Sequence, residues 1–103
     1  MNRREVLQAM LAQNPQDSFA RYGLAMELIK SGDLEAAVGE YHTLLATNPT
    51  YAAAYFHGGQ TLEKLGRLDE ARAMYEKGIE VTGRTGDPHA RSELQAALEL
   101  LPI

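Results

Sequence analysis

The sequence predicts an all-α protein of about six helices, paired into antiparallel hairpins that stack side by side. Three observations carry this. Apolar residues recur at helical spacing, clearest in Leu34, Ala37, Val38, Tyr41, Leu44 and Leu45, and no β-like alternation appears anywhere. Short joints rich in Gly, Pro, Asn or Asp interrupt that pattern at five places. Finally, the chain repeats itself: "KSGDLEAAVGEY" from Lys30 and "KLGRLDEARAMY" from Lys64 share Gly32 with Gly66, Leu34 with Leu68, Ala37 with Ala71 and Tyr41 with Tyr75, always 34 residues apart.

The elements follow in order. A first helix over about residues 3–13 carries Val6, Leu7, Met10 and Leu11 and ends at the "NP" of Asn14 and Pro15. Helices over about 17–30 and 34–47 form one pair, and helices over about 51–64 and 68–81 form another. The joints inside each pair span two to three residues, too short for anything but a hairpin, and Gly32 and Gly66 supply the left-handed conformation that ends a helix. Asp33 is expected to cap the helix after it through its side-chain oxygen; Arg67, at the matching place, cannot, which predicts a weaker second joint. Turns are expected near 14–16, 31–33, 48–50, 65–67 and 82–87. A last helix over about 88–101 starts with Asp87 as cap and Pro88 in the first turn, and puts Ala90, Leu94, Ala97, Leu98 and Leu101 on one stripe.

Sliding residues 15–49 onto 49–83 adds Pro15 with Pro49, Ala20 with Ala54, Leu28 with Leu62 and Lys30 with Lys64, eight identities over 35 positions. With its helix–turn–helix content, this 34-residue period resembles the tetratricopeptide repeat (TPR) family over about residues 15–83. The family's small residue midway along the first helix of each pair is matched by Ala25 and Gly59, where the two helices of a pair would approach most closely. The small residue early in the second helix is matched by Ala37 and Ala71, the aromatic that follows by Tyr41 and Tyr75, and the closing proline by Pro49. The resemblance implies a right-handed α-solenoid, TPR-like, with residues 1–14 as an N-terminal half-repeat helix, 15–48 as repeat 1, 49–83 as repeat 2 and 87–103 as a C-terminal capping helix. Four positions depart from the pattern: Arg21 where a bulky apolar residue is usual, Gly58 for leucine, Gly78 for alanine and Gly83 for the closing proline. Gly58 has no reason visible in the sequence unless Tyr55 or a neighbouring tyrosine fills the space.

Composition narrows the function. A chain of 103 residues with 45% apolar content supports one domain. Ten Lys and Arg against fourteen Asp and Glu supply no basic face for nucleic acid. The absence of cysteine removes disulfides, thiolate nucleophiles and cysteine-ligated zinc. No stretch is apolar enough for a membrane span, and the apolar run of "MNRREVLQAMLAQ" is broken by Gln8 and Gln13, so no signal peptide is expected and the address is cytoplasmic. His42, His57 and His89 fall on separate helices without metal-ligand spacing and read as structural or solvated. "HGG" at His57–Gly59 lacks a nucleophile elbow, and "GRTGD" at Gly83–Asp87 lacks the lysine and hydroxyl of a phosphate loop. No catalytic residue, metal or cofactor is expected, and the chain reads as a non-enzyme.

The resemblance implies instead a protein-binding groove lined by the first helices of the repeats, with Phe19, Tyr22, Met26, Ile29, Ala53, Phe56, Gln60 and Glu63 facing a peptide or helix of another protein. One subset of the family grips acidic tails with lysines and asparagines. Here Tyr22, Met26, Phe56 and Gln60 hold those places, so the groove offers aromatic and apolar burial. The alternative is a self-assembling scaffold whose groove or exposed end binds a second copy of the chain.

Overall fold

The computed structural model describes residues 1–102; Ile103, the last residue of the expected capping segment, lies outside them. Six helices run in order: α1 (Arg3–Gln13), α2 (Ser18–Lys30), α3 (Leu34–Thr47), α4 (Ala52–Lys64), α5 (Leu68–Thr85) and α6 (Pro88–Leu100), with no strand among the described residues. Each helix packs on the next in sequence, and α4 also packs on α6, so the helices form two layers: α2, α4 and α6 in one, α1, α3 and α5 in the other. The result is a slab of 40 × 29 × 19 Å, flat because its elements touch only near neighbours.

The two inner joints close identically. Gly32 and Gly66 adopt positive φ, 84° and 75°. This lets the amides of Asp33 and Arg67 reach back to the carbonyls of Leu28 and Leu62 at 2.8 and 2.9 Å, and the two glycine amides to Ile29 and Glu63, satisfying helix-end carbonyls that would otherwise lack partners. Neither following helix receives a side-chain cap. The expected Asp33 cap is therefore corrected: its Oδ2 accepts from Arg4 at 2.9 Å and from the Ser31 hydroxyl at 3.1 Å, tying α1 to the α2–α3 turn. Arg4 holds the Asp33 carboxyl below its usual range. The two joints do not differ by a cap as expected, since neither has a side-chain cap, and Arg67 braces the second against both Glu35 oxygens, at 2.7 and 2.9 Å, and against Glu70. Asp87 does cap α6, through the Ala90 amide at 3.1 Å.

A second correction concerns α5. The sequence pattern predicts an end near residue 81, but the helix continues to Thr85 and stops at Gly86, whose φ is 74°. Gly83 thus sits inside a helix, because without a proline there nothing removes an amide or forces the preceding residue out of helical geometry.

Packing explains the departures in the repeat pattern. Tyr75 is fully buried, and a Cβ added at Gly59 would collide with Cε1 and its neighbours in the ring, so only glycine allows α4 and α5 this approach. At Gly58 the space is taken by Met74, whose Cε lies 3.2 Å from the added carbon, and by Tyr41. At Gly78 an added Cβ would meet the Cβ of Tyr55 at 2.7 Å and Leu94 at 2.9 Å, which is how α6 seats on α5. Arg21 and Tyr55 are matching residues that do one task. Each donates to the carbonyl of the matching proline, Arg21 to Pro15 at 2.9 Å and Tyr55 to Pro49 at 2.7 Å, and Arg21 adds an ion pair with Glu40 of α3 at 2.6 Å. A donor, and not an apolar side chain, is what this position uses.

The core has two parts. Leu7, Ala20, Leu24, Leu28 and Tyr41 lie in the first; Tyr55, Leu62, Met74, Tyr75, Val81 and Leu94 lie in the second. Of the expected α6 stripe, Leu94 and Leu101 are buried, while Ala90, Ala97 and Leu98 are half-buried. At the position matching Ala25 and Gly59, counted from the helix start, α6 carries exposed Gln95.

Two stability outcomes follow from these contacts. Gly59→Ala should cost about 1–3 kcal/mol by forcing Tyr75 aside. Gly58→Ala should be neutral or stabilise by up to about 1 kcal/mol, since helix propensity improves and the flexible end of Met74 gives way. Urea midpoints of the two variants moving in the same direction by the same amount would contradict this packing. Leu94→Ala should cost about 2–5 kcal/mol and half-buried Leu98→Ala clearly less.

Candidate protein-binding groove

The layer of α2, α4 and α6 carries a cluster of rings. Tyr22 of α2 lies 6.2 Å from Tyr41, 5.4 Å from Tyr51 and 5.9 Å from His57, centroid to centroid, and His57 meets Phe56 edge-on at 5.3 Å. Tilted and edge-to-face geometries at these separations are favourable beyond simple burial. Tyr41 forms the floor and is fully buried, with its hydroxyl donating to the Met26 sulfur at 3.1 Å. Tyr22, Tyr51, Phe56 and His57 remain half-buried, so their outer parts face solvent.

The eight residues expected at the groove are brought together unevenly. Tyr22 and Phe56 join one cluster through His57. Met26 and Ile29 are half-buried against the first core, and Phe19 stands outside the ring cluster at 67% exposure. Ala53 and Gln60 are exposed. Glu63 is committed elsewhere: its Oε2 accepts from the Tyr75 hydroxyl. Ala53 and Phe56 also line an open hollow of about 420 Å3 between α4 and α6, with His57, Ala90, Asp87 and Glu93.

Tyr51 and His57 are not among the eight residues expected at the groove, and His57 is expected only as a structural or solvated histidine. Tyr51 occupies the N-cap position of α4 and makes no side-chain cap there, whereas Asp17, its match one repeat earlier, caps α2 through the Ala20 amide at 3.0 Å. A tyrosine where a helix would gain from aspartate is the signal that could have drawn attention to it. His57 matches Gly23, so the repeat itself gave no hint of an aromatic there.

The cluster is electrically neutral around physiological pH. Burial raises the pKa of Tyr22, Tyr41 and Tyr51 above the usual tyrosine value, helped at Tyr51 by the charge of Asp17. Burial lowers that of His57, with Lys64 acting the same way and Glu93 opposing. Carboxylates stand at one edge of this face, Asp17 and Asp87 at helix starts, and lysines at the other, Lys30 and Lys64 at helix ends.

These features define a helical-repeat protein of stacked antiparallel hairpins with an aromatic face. The sequence model of the tetratricopeptide repeat family matches residues 22–88, and the chain belongs to that family. It is 29% identical over 97 residues to TPR repeat-containing protein PA0015 of Pseudomonas aeruginosa, covering 94% of this chain and 92% of that protein. The solution structure of a tetratricopeptide repeat domain protein from Salinibacter ruber superposes with a TM-score of 0.81 at 37% identity, covering 86% of this chain and 90% of that one. PcrH, crystallised in complex with the chaperone binding region of PopD, superposes with a TM-score of 0.87 over 95% of this chain and 74% of its own; at 19% identity that likeness is one of fold.

His57 gives a testable pH dependence. Its folded pKa is depressed below the unfolded value of 6.5, so the unfolded chain takes up the proton first and the contribution of neutral His57 to stability is lost as pH falls below about 6.5. Unfolding midpoints measured between pH about 8 and about 5 should fall more steeply for the wild type than for His57→Gln. Parallel curves would mean that His57 titrates as it does in the unfolded chain.

Proposed function

We propose that this chain is a cytoplasmic, non-enzymatic interaction module that holds a segment of another protein, a peptide or a helix, in a groove over α2, α4 and α6. The observation that carries this reading is the group of half-buried rings, Tyr22, Tyr51, Phe56 and His57, gathered on one face and left partly open. A face of this kind gains by burial against a partner, since aromatic anchors remove large areas from water at small rotamer cost. PcrH, which has this fold, forms a complex with a region of another protein, so a helical stack of this type is able to hold such a segment. In this reading Phe19, Met26, Ile29, Ala53 and Gln60 complete the groove, while the Glu63 expected beside them is engaged by the Tyr75 hydroxyl.

Burying one ring contributes about 1.5–3 kcal/mol, or roughly 10- to 150-fold in affinity. Tyr22→Ala and Phe56→Ala should each weaken a captured partner segment by that order with helical content unchanged. Calorimetric titration against both variants checks it, and unchanged affinity in both would move the working surface elsewhere.

A second reading has its own observation. Val6 and Met10 on the outward side of α1, with Met1 ahead of the helix, are exposed at 41%, 38% and 90% and form an apolar strip for a second copy. Light scattering across concentration separates the two: a dimer dissolved by Val6→Ser together with Met10→Ser, with Tyr22→Ala having no effect, would favour self-assembly through this end.

A further inference from the structure

The rings do not fill the first-helix layer. The 420 Å3 hollow between α4 and α6 exists because Ala53 on one helix and Ala90 on the other leave room beside Phe56 and His57. Its volume is near the lower end for ligand pockets, about 300–1,000 Å3, and suits one large side chain better than a whole ligand. Its formal charges are two carboxylates, Asp87 and Glu93, and no lysine or arginine lines it. Asp87 spends Oδ1 on the Ala90 amide, and Glu93 meets only the exposed His89, at 3.2 Å.

Those groups decide what can enter. Any side chain that fills the hollow strips water from Asp87 and Glu93; an apolar one leaves that loss uncompensated, and an acidic one adds repulsion. A cation offsets it. Arginine fits better than lysine, being planar, less strongly hydrated and able to lie against a ring while it pairs with a carboxylate. We propose that this hollow is a specificity pocket for an arginine side chain of the bound partner segment, its guanidinium paired with Glu93 and Asp87 beside Phe56 and its stem over the two alanines. This rests on the groove reading above and adds the chemistry of the partner: an apolar or aromatic anchor for the rings, with an arginine beside it. The resemblance to acid-gripping grooves would lead to the opposite charge.

The test uses short peptides selected by phage display against the immobilised full chain. Each selected peptide is resynthesised with its arginine replaced by norleucine, and both versions are titrated into wild type, Glu93→Lys and Tyr22→Ala. Glu93 is half-exposed, so its replacement leaves the core intact. Selected peptides should carry arginine near a large apolar residue. The norleucine version should bind wild type about tenfold more weakly, a difference that disappears in Glu93→Lys, and the arginine peptide should shift the amide resonances of Ala53, His57 and Ala90. Peptides that depend on Tyr22 but carry no arginine, or whose arginine matters equally in Glu93→Lys, overturn the pocket and leave the groove standing. Peptides indifferent to both substitutions, or a selection that yields no binder, overturn the groove and the pocket together.

Discussion

The close seating of Tyr75 on Gly59 sets the geometry on which the second half of the molecule depends. The ring is fully buried and leaves no space for even a methyl group on α4. That fixes how near α4 and α5 lie, brings the tyrosine hydroxyl to Glu63 and allows Met74 to occupy the space over Gly58. With α5 so placed, Gly78 offers α6 a second close approach, filled by Leu94. The glycines that weaken these helices by propensity are thus the contacts that order them, and burial of the large side chains they admit offsets the cost.

The first repeat solves the same problem with milder parts. Tyr41 matches Tyr75 and Ala25 matches Gly59, and both are fully buried in the first core. Ile29 stands where repeat 2 has Glu63, so the Tyr41 hydroxyl turns to the sulfur of Met26, a weak acceptor. The two repeats therefore present different surfaces from one framework: aliphatic and thioether groups over α2, polar groups along the later part of α4. Arg21 and Tyr55 make the complementary point, because two unlike side chains deliver a donor to matching carbonyls.

Electrostatics then distinguish the parts of the first-helix layer. The rings stay uncharged because burial opposes ionisation of both tyrosine and histidine. Charge is left to the rim, with carboxylates at the helix starts and lysines at the helix ends. The surface ion pairs of Arg4 and Arg67 tie neighbouring elements at the joints, and, being exposed to water, they add little to stability. Their effect is to hold orientation more than to supply stability.

How much of this was legible in the sequence follows from the range of each interaction. The six helices, the joints at Gly32 and Gly66, the Asp87 cap and the pairing of helices are set by contacts within a few residues and by a 34-residue repeat, so periodicity and turn chemistry alone determined them. Even the ring pair of Tyr22 and Phe56 could be placed on one face by matching positions. Local rules also misled where a distant partner competed: Asp33 was expected to cap α3 until Arg4, 29 residues away in sequence, claimed its carboxylate. The length of α5, the reasons for Gly58 and Gly78, the entry of Tyr51 and His57 into the ring cluster and the hollow beside Asp87 and Glu93 were decided only when α4, α5 and α6 came together. Each depends on side chains from different helices meeting at van der Waals distance, and a repeat pattern fixes which helices are neighbours without fixing which atoms touch.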